Sequence, residues 1–477
     1  MKDDLTPEEW VQWLSRRAEA ERGQLDELNR YYNGEQQLSY LHPELLALME
    51  DRLRALVINW PQLVVDTLDE RLDVEGFRYA DSEEMADDLW AIWQANAMDE
   101  QSQQGHIEAL VMRRSFAVVG ANEADPGMPL ISFESPLQVT ADYDPRTRQE
   151  RAVLKRWNDI DPVTGMVRDQ YATLYLPNVT YWYSRPTAGP TSWKLDDQDE
   201  HGLGTPPVVT FANRGRLLVP GGKSELDAVI PLSDAACKVA TDMMVSSEFH
   251  AMPRRWALGF SEEDFTDEQG RPLSTWQQIA GAVWSSERTK QDGAEVGQFP
   301  EAQLTNFHQS IELLARLVAS LGALPPDHMG MGTDDAASAD AIRSREARLV
   351  KRAERRQRAW SGSYERMNRI ALRVRDGDWD PRARQLETVW RDPSTPTFAQ
   401  KADAVVKLHA AGLLPTAQAW EDLGYTKEQR RRMQRMLDDD LTRMTTADLH
   451  ALSTMPTVGQ TGEVPQETTP VGGPSRG

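Results

Sequence analysis

Cysteine is almost absent from this 477-residue chain, because Cys237 is the only one. A single cysteine excludes an intrachain disulfide and a thiolate metal cluster, and it is typical of a protein from a reducing cytosol. Long apolar runs are also missing: no segment approaches the ~20 apolar residues that span a bilayer. The N-terminal MKDDLTPEEW has no apolar signal region. We therefore expect a soluble, intracellular protein with no membrane partner.

Positive charge is scarce overall, since 53 Lys and Arg face 75 Asp and Glu and the formal net charge is −22. Such a surface should repel nucleic acid over most of its area. One segment departs from this balance: SADAIRSREARLVKRAERRQRAW, at 338–360, has eight Lys and Arg against three acids. The length, with 15 Trp, 17 Met and a hydrophobic fraction of 40%, predicts several domains or one elongated multi-part subunit.

Motifs for catalysis and for metal or cofactor binding are lacking. GGKS at 221–224 resembles the end of a phosphate-binding loop, but Leu217 stands where that loop needs a glycine, which favours a glycine turn ahead of a helix. The eight histidines have no HxxxH spacing, and no GxSxG elbow occurs. Asp334 and Asp335 could bind a cation or could be solvated loop charges. We expect no enzyme activity, no cofactor and no metal.

The apolar pattern predicts an α+β chain that is mainly helical. Helical spacing runs from Thr6 to about Trp93, interrupted by an extended piece at 74–77. Short alternating runs separated by turn sequences predict β-hairpins between about 116 and 211.

The next part of the chain predicts two helices and, after a loop, a third and much longer one. The first covers 231–252, is rich in small residues and ends at Pro253; the second covers 303–321, with an apolar stripe. Two prolines and two glycines prevent the helix from continuing into 322–337. A further apolar stripe then predicts a helix from 338 to about 375, ~55 Å long at 1.5 Å per residue. The stripe of the second helix is Leu304, Phe307, Ile311, Leu314, Val318 and Leu321, and that of the long helix is Ile342, Leu349, Ala353, Trp360, Tyr364, Met367, Ala371 and Val374.

Two interpretations of the basic segment remain open. Its Arg side chains could pair with acidic surfaces of the same or an adjacent subunit, a geometry that suits the guanidinium fork. Alternatively, the segment could contact nucleic acid directly, as in a helical adaptor protein. A nucleotide-dependent motor subunit is a third hypothesis, and the incomplete phosphate loop counts against it.

The order of these parts resembles the portal, or head-to-tail connector, proteins of tailed bacteriophages, specifically the family typical of long non-contractile-tail phages of Gram-positive hosts. The resemblance covers roughly 25–430. It is carried by YYNGEQQL at 31–38, NWPQLVVDTLDERLDVEGF at 59–77, YDPRTRQERAVLKRW at 143–157, LGTPPVVTFANR at 203–214, GGKSELDAVIPLSDAACKVATDMMVSSEFHAMPRRWALG at 221–259 and SADAIRSREARLVKRAERRQ at 338–357.

The resemblance implies a ring of subunits, typically a dodecamer, at one capsid vertex of the virion, assembled in the host cytoplasm. Double-stranded DNA would be packaged through the ring and later ejected. Implied partners are the terminase, the major capsid and scaffolding proteins and a head-tail adaptor. The implied parts are a wing at 1–230, stem helices at 231–252 and 303–321, a clip at 253–302, a tunnel loop at 322–337, a long wing helix at 338–378, a crown at 379–452 and a disordered tail at 453–477.

Candidate site residues follow from these parts. The tunnel loop would present Leu324, Pro325, Pro326, Asp327, His328, Met329, Met331, Asp334 and Asp335 to the channel. The basic helix would contact a neighbouring subunit through Arg348, Arg352, Arg355 and Arg356. The stem would include Lys238, Met243, Ile311 and Leu314.

Overall fold

The computed structural model describes residues 5–37, 56–82, 84–187, 192–250, 255–258, 295–298, 304–331, 339–394, 398–425, 429–440 and 442. The chain divides into two compact units, Met1–Ser394 and Thr395–Gly477. The predicted disordered tail at 453–477 and the loop acids Asp334 and Asp335 lie outside the described residues.

The α+β prediction is confirmed, with more described residues in helices than in strands. The helices are α1 (Pro7–Asn33), α2 (Trp60–Asp69), α3 (Asp87–Ala95), α4 (Met98–Val111), α5 (Ile230–His250), α6 (Thr305–Gly322), α7 (Ala339–Asp376), α8 (Phe398–Ala410) and α9 (Thr416–Asp422). The strands are β1 (Val74–Tyr79), β2 (Arg114–Gly120), β3 (Leu130–Glu134), β4 (Val139–Tyr143), β5 (Glu150–Ile160), β6 (Val167–Tyr175), β7 (Thr180–Pro186), β8 (Lys194–Asp199), β9 (Val208–Ala212), β10 (Arg255–Leu258), β11 (Glu295–Gln298) and β12 (Leu386–Trp390).

Helix α1 shows how local sequence sets an element boundary. Thr6 caps its first turn: the hydroxyl accepts from the Glu9 amide, and the Glu9 carboxylate accepts from the Thr6 amide at 2.8 Å. Gly34, with a left-handed backbone, ends the helix. The capped helix lays Trp10, Val11 and Leu14 against the sheet that contains β5 to β7.

The predicted β region is confirmed and forms two antiparallel sheets. Three strands pair in the order β3-β2-β9, and five consecutive strands pair as a meander from β4 to β8. One face of the meander packs on α1 through Ala152, Leu154, Ala172 and Leu174, whereas β8 is exposed along its whole length. The clip predicted at 253–302 is described only at its antiparallel pair β10 and β11.

The largest core of the first unit gathers around α7. The Tyr364 ring contacts Phe77, Trp93, Phe211 and Trp390, with ring centroids 4.7 to 6.3 Å apart. These partners come from β1, α3, β9 and β12, so one helix ties together elements that are distant in the sequence. Aromatic packing of this kind is a large contribution to burial.

The long helix α7 agrees with its prediction in length, at 38 residues, or about 57 Å. Leu349, Ala353 and Trp360 are fully buried, as the predicted stripe requires. Ile342 is different, because 44% of its side chain is exposed. The stripe therefore packs on the core from Leu349 onward and leaves the first turn of the helix uncovered.

The predicted crown range, 379–452, begins inside the first compact unit. Strand β12 pairs antiparallel with β1, and Arg391 binds Asp73 and Glu75 of that region. Residues 379–394 therefore belong to the first unit, and the second unit begins at Thr395. A strand that pairs this far back along the chain has no local signal for its partner, so this pairing was not predicted, and the crown range stays a prediction.

The second unit contains α8, α9 and a helical stretch at 429–440. Gly412 and Gly424 follow the first two helices with left-handed backbones, which glycine adopts readily. Arg430 forms an ion pair with Glu421 at 2.5 Å. Within the ranges described above, no helix is both long and apolar enough to cross a membrane.

Candidate functional site

The site is built where α6 ends, the chain turns, and α7 passes the end of α6. Helix α6 continues through Gly322, and Ala323 takes the left-handed conformation, with φ of 60°. Packing around Gly322 is tight: a Cβ there would lie 3.1 Å from the Val64 side chain and 3.3 Å from that of Leu324, so these side chains would have to shift.

Arg352 of α7 caps the carboxyl end of α6. Its guanidinium donates to the carbonyl oxygens of Gly322, at 2.6 Å, and Leu321, at 2.8 Å. The last carbonyls of a helix lack intrahelical donors and carry partial negative charge, so an arginine stabilises them. This contact joins α6 directly to the long helix.

The tunnel loop predicted at 322–337 is folded in its first half. Residues Pro326–Met329 form a 3-10 turn, and the Met331 amide donates to the Pro326 carbonyl at 3.2 Å. Arg345 of α7 holds the turn through Asp327 at 3.1 Å. Residues 332–338 lie outside the described ranges.

The predicted loop residues divide by burial. Leu324 and Pro325 are buried, and Leu324 belongs to a small core that includes Val64, Val229 and Val318; Met329 and Met331 pack against this core. Pro326, Asp327 and His328 are exposed. Only these exposed residues, among those described, are free to face a channel.

A buried carboxylate, Glu225, lies beneath the basic helix. Its side chain is 1% exposed and forms ion pairs with Arg356, with Arg352 at 3.5 Å and with Arg214 at 3.7 Å. The Asn213 amide also donates to Glu225, at 3.1 Å. Burial raises the pKa of Glu225, but the arginines outweigh burial and hold that pKa below its ordinary value. The carboxylate is thus ionised where the arginines need it.

Arg352 and Arg356 were predicted to contact a neighbouring subunit, and here they bind Glu225 of the same chain. Their part in a subunit contact stays a prediction. Arg348 and Arg355 are exposed and form no ion pair with the residues that the structure describes. Lys351, between them, pairs with Glu354 at 2.5 Å.

These side chains line a basic cleft of about 290 Å³, formed by Arg214, Ala323, Arg348, Lys351, Arg352, Arg355 and Arg356. Burial lowers the pKa of Arg352; Glu225 opposes that shift, while Arg356, Arg214 and Arg348 add to it. The six cationic side chains of the cleft outnumber the two carboxylates that pair with them, Glu225 and Glu354, so its electrostatic potential favours anionic groups.

GGKS at 221–224 leads into Glu225 as a turn and does not form a phosphate loop. Gly222 has φ of 81°, and a Cβ there would lie 2.3 Å from the Arg113 carbonyl oxygen. The Ser224 hydroxyl is buried and donates to the Leu110 carbonyl. The predicted glycine turn ahead of a helix is confirmed, and the Gly222 and Lys223 amides donate to the Val219 and Asn213 carbonyls.

The paired helices α5 and α6 carry the predicted stem residues. Lys238 forms an ion pair with Asp242 one turn later, at 2.6 Å, while Met243, Ile311 and Leu314 are half-buried. On α5, small side chains allow close approach of another segment: the Ser233 hydroxyl donates to the Ile58 carbonyl at 3.0 Å. In the same region, no group of three or more His, Cys, Asp or Glu suitable for a metal occurs among the described residues.

A second buried polar cluster was missed from sequence. His106 on α4 is 1% exposed; its Nε2 lies 2.8 Å from the Tyr364 hydroxyl, and its Nδ1 lies 3.9 Å from Asp69 Oδ1. Burial lowers the pKa of His106 to about 3, so the ring is neutral. Burial, with Asp66 and other acids nearby, raises the pKa of Asp69 to about 7. The three members of this cluster, His106, Tyr364 and Asp69, lie on separate helices, so no local sequence motif indicates the cluster.

Comparison with known proteins decides the family. The model of the family described as phage portal protein, SPP1 Gp6-like, matches residues 12–443. The chain belongs to the phage portal protein family. The resemblance found in the sequence is therefore confirmed, and the match begins inside α1, earlier than the motifs at 31–38 suggested.

Two phage relatives agree with the assignment. The portal protein of Mycobacterium phage D29 is 34% identical over 394 residues, covering 80% of this chain and 79% of that protein. The portal protein of Mycobacterium phage L5 is 35% identical over 399 residues, with the same coverage. Both alignments span most of each protein.

Solved structures show a fainter likeness. A chain from the neck of an empty GTA particle, computed with C6 symmetry, is 14% identical with a TM-score of 0.45, covering 76% of this chain and 89% of that one. A chain from the virion of a native gene transfer agent particle is 13% identical with a TM-score of 0.44, covering 80% and 93%. With both TM-scores below 0.5, the family assignment rests on the family model and the phage relatives.

Proposed function

We propose that this portal-family chain assembles into a closed ring, with twelve copies as the family resemblance implies, around a channel for double-stranded DNA at one capsid vertex. The observation that carries the proposal is the family match over residues 12–443. The role is structural and not enzymatic. DNA would pass through the ring during packaging and ejection, and the tail would join the head there.

The charge of the chain supports a conduit. Each neutralised phosphate adds salt-dependent affinity through counterion release, so a basic channel would hold DNA in place. A net charge of −22 per copy avoids such a grip. The exposed Asp327 on the turn after α6 is consistent with a lining that does not bind phosphates.

Within the ring, α5 and α6 are the proposed stem, and the segment at 253–302 is the proposed clip that meets terminase and later the head-tail adaptor. The exposed turn residues Pro326, Asp327 and His328, with the rest of 322–337, form the proposed tunnel loop. The first unit supplies the wing that meets capsid and scaffolding proteins. The crown is proposed for 379–452, of which the part from Thr395 on belongs to the second unit.

Arg348 and Arg355 are proposed to bind acidic side chains of the adjacent copy. The support is that they are exposed and make no ion pair with the described residues, while Arg352 and Arg356 bind Glu225. A ring of chains at −22 supplies acidic surface in excess.

Particle mass tests the ring. Purified chain, measured by mass photometry with negative-stain imaging, is expected to form closed rings whose mass is a whole multiple of the chain. A monomer at all concentrations, also in the presence of capsid protein, would refute the proposal.

Charge reversal separates this proposal from a DNA-binding adaptor. The double variant Arg348→Glu with Arg355→Glu is expected to lose rings, while Arg358→Glu, an exposed change on the same helix, keeps them. If the double variant kept its rings but lost affinity for a DNA duplex, the adaptor function would be favoured.

A motor function predicts ATP hydrolysis by the purified chain, and we expect none.

The tunnel-loop role has its own test. The buried Leu324 and Pro325 make a deletion of the whole loop a folding defect, so the exposed side chains are the better target. Asp327→Ala with His328→Ala is expected to leave rings intact and to lower DNA packaging or retention in assembled capsids. Normal packaging by rings of this variant would remove the loop from the mechanism.

A further inference from the structure

Helix α6 carries a row of leucines that the described residues of its own chain leave exposed. Leu313, Leu317 and Leu321 are 57%, 43% and 49% exposed, and their spacing of four places them on one face of the helix. Leu321 was predicted to lie in the buried stripe, and its exposure is a correction. We call these three residues the leucine ridge.

The leucine ridge is bordered on α6 by uncharged positions. The neighbouring positions on this face of α6 are Asn306, Gln309, Ser310 and Ser320. The two charged residues of the helix, Glu312 and Arg316, lie further round the axis, about 140° and 100° from Leu317, and line a groove. The ridge therefore brings no charged side chain of its own into a contact.

The groove lies between α6, the turn after it and the start of α7, and has a volume of about 730 Å³. Ala319, Ala323 and Leu324, all 5% exposed, form its floor, and Pro326 and Met331 its apolar wall. Glu312, Arg316, Arg345 and Arg348 also line it. We call this feature the loop groove.

The ridge and the groove lie on adjoining sides of one helix, with Ser320 at the border between them. At about 100° per residue, Arg316 and Ala319 of the groove are about 100° and 160° away from Leu317 around the axis. A chain therefore cannot dock its own ridge in its own groove. Two complementary surfaces on different sides of a subunit are what a head-to-tail contact needs, and such contacts close into rings when the rotation permits.

We propose that the leucine ridge of one copy packs into the loop groove of the next copy around the ring. This inference rests on the proposed ring and names the contact that forms it. The apolar floor matches the uncharged ridge, and Arg352 fixes both partners, since it caps α6 at Leu321 and Gly322, where the ridge ends and the groove begins. A nucleic acid would find no cation on the ridge.

Site-specific cross-linking tests the contact. Cys237 is fully buried, so introduced cysteines are the reactive ones. A chain with both Leu317→Cys and Met331→Cys, treated with a short bismaleimide, is expected to give a ladder of covalent oligomers on a denaturing gel. Each single variant is expected to give no ladder, as is the control pair Leu130→Cys with Met331→Cys, which uses an exposed leucine on β3.

The outcomes separate this inference from the proposed ring. Rings seen by mass photometry with no more cross-linking than in the control pair would overturn the ridge-to-groove contact and leave the ring standing. A covalent dimer from Leu317→Cys alone would mean ridge against ridge, and would also overturn it. Absence of rings from the unsubstituted chain would overturn both.

A second variant gives a quantitative readout. Leu317→Glu replaces an exposed side chain, so circular dichroism and the melting temperature should stay unchanged. The protein concentration at which half the chains are in rings is expected to rise at least ~10-fold, while Leu130→Glu leaves it unchanged. Equal effects of the two substitutions would contradict the contact.

Discussion

The two halves of α7 both pack on the core, through Leu349 and Ala353 in one half and Tyr364 in the other, but they differ in which contacts predominate. The arginine half, residues 345–356, binds through charge: Arg345 to Asp327, Arg352 to the end of α6, and Arg356 to Glu225. The aromatic half, residues 360–372, is held by the rings around Tyr364. One continuous helix thus connects a core that excludes water with a junction that depends on ionisation.

The difference indicates how each half should respond to changes in pH and salt. Apolar packing depends little on pH or salt, whereas a buried carboxylate among arginines loses its value once it is neutralised. The arginine half borders the segment proposed as tunnel loop, and the aromatic half borders the sheets. The arginine half should therefore respond to salt and to acid through Glu225, and the aromatic half should respond to pH only through the buried polar groups beside Tyr364.

Removing the buried charge should break the arginine half. Glu225→Gln leaves Arg356, Arg352 and Arg214 without their carboxylate, and the free energy of unfolding should fall by about 3–5 kcal/mol. Urea titration followed by tryptophan fluorescence measures this. The matched control is Glu354→Gln, whose exposed pair with Lys351 should contribute at most about 1 kcal/mol. Equal losses in the two variants would show that Glu225 does not organise the arginines.

Removing one hydroxyl should weaken the aromatic half less. Tyr364→Phe keeps the ring packing but leaves His106 Nε2 buried without its partner at 2.8 Å, so we expect a loss of about 1–3 kcal/mol. The control is Tyr171→Phe, whose half-buried ring stacks on Trp157 and which should change stability by no more than about 0.5 kcal/mol. The same urea titration applies, and no difference between the two variants would contradict a structural role for this hydrogen bond.

The pH dependence of stability should have opposite signs at the two ends. The native pKa of Asp69, about 7, lies above the ~3.9 of an unfolded aspartate, so its contribution is complete below about pH 4 and is lost as pH rises through 7. The slope is at most ~1.4 kcal/mol per pH unit. Asp69→Asn, which stays neutral, should flatten this part of the profile in urea titrations between pH 5 and 8.

Glu225 provides the contrast, because its native pKa is lowered. Its contribution is present above the unfolded pKa of ~4.3 and is lost as pH falls through the native value. A profile of Glu225→Gln that still fell on acidification as steeply as that of the unsubstituted chain would contradict this assignment.

The smallest expected effect sharpens the link between charge and assembly. Arg355→Gln removes one of several like charges in the basic cleft, so the unassembled chain should gain about 0.2–0.5 kcal/mol. Under the proposed subunit contact, the same change should weaken rings, measured by mass photometry. Arg358→Gln is the control, and a parallel change in both properties for the two variants would separate Arg355 from assembly.

Periodic elements could be predicted from the sequence because their signal is local. The capping box at Thr6, the hairpin region, and the burial of Leu349, Ala353 and Trp360 all follow from residue spacing. The exposure of Leu321 could not be predicted, since a helix stripe shows which residues are apolar and not which side a neighbour covers. From sequence alone, the leucines of the ridge cannot be told from buried core leucines, and only their exposure in the fold distinguishes them.

The centre of the candidate site was out of reach for a different reason. Glu225 is part of the site because it forms ion pairs with Arg214, Arg352 and Arg356. Arg352 and Arg356 are separated from it in the sequence by 127 and 131 residues. In sequence it is one acid among 75 Asp and Glu. The basic segment was noticed for its charge, but the carboxylate that organises it is identified only by burial.

The pairing of β1 with β12 sets the order in which this protein can be made. Its two strands are separated by roughly three hundred residues of chain, as the contact between Glu75 and Arg391, 316 residues apart, illustrates. Contacts of such long range form late, and a growing chain cannot form this one until Trp390 has left the ribosome. A product of interrupted synthesis therefore lacks the closing strand of its first unit.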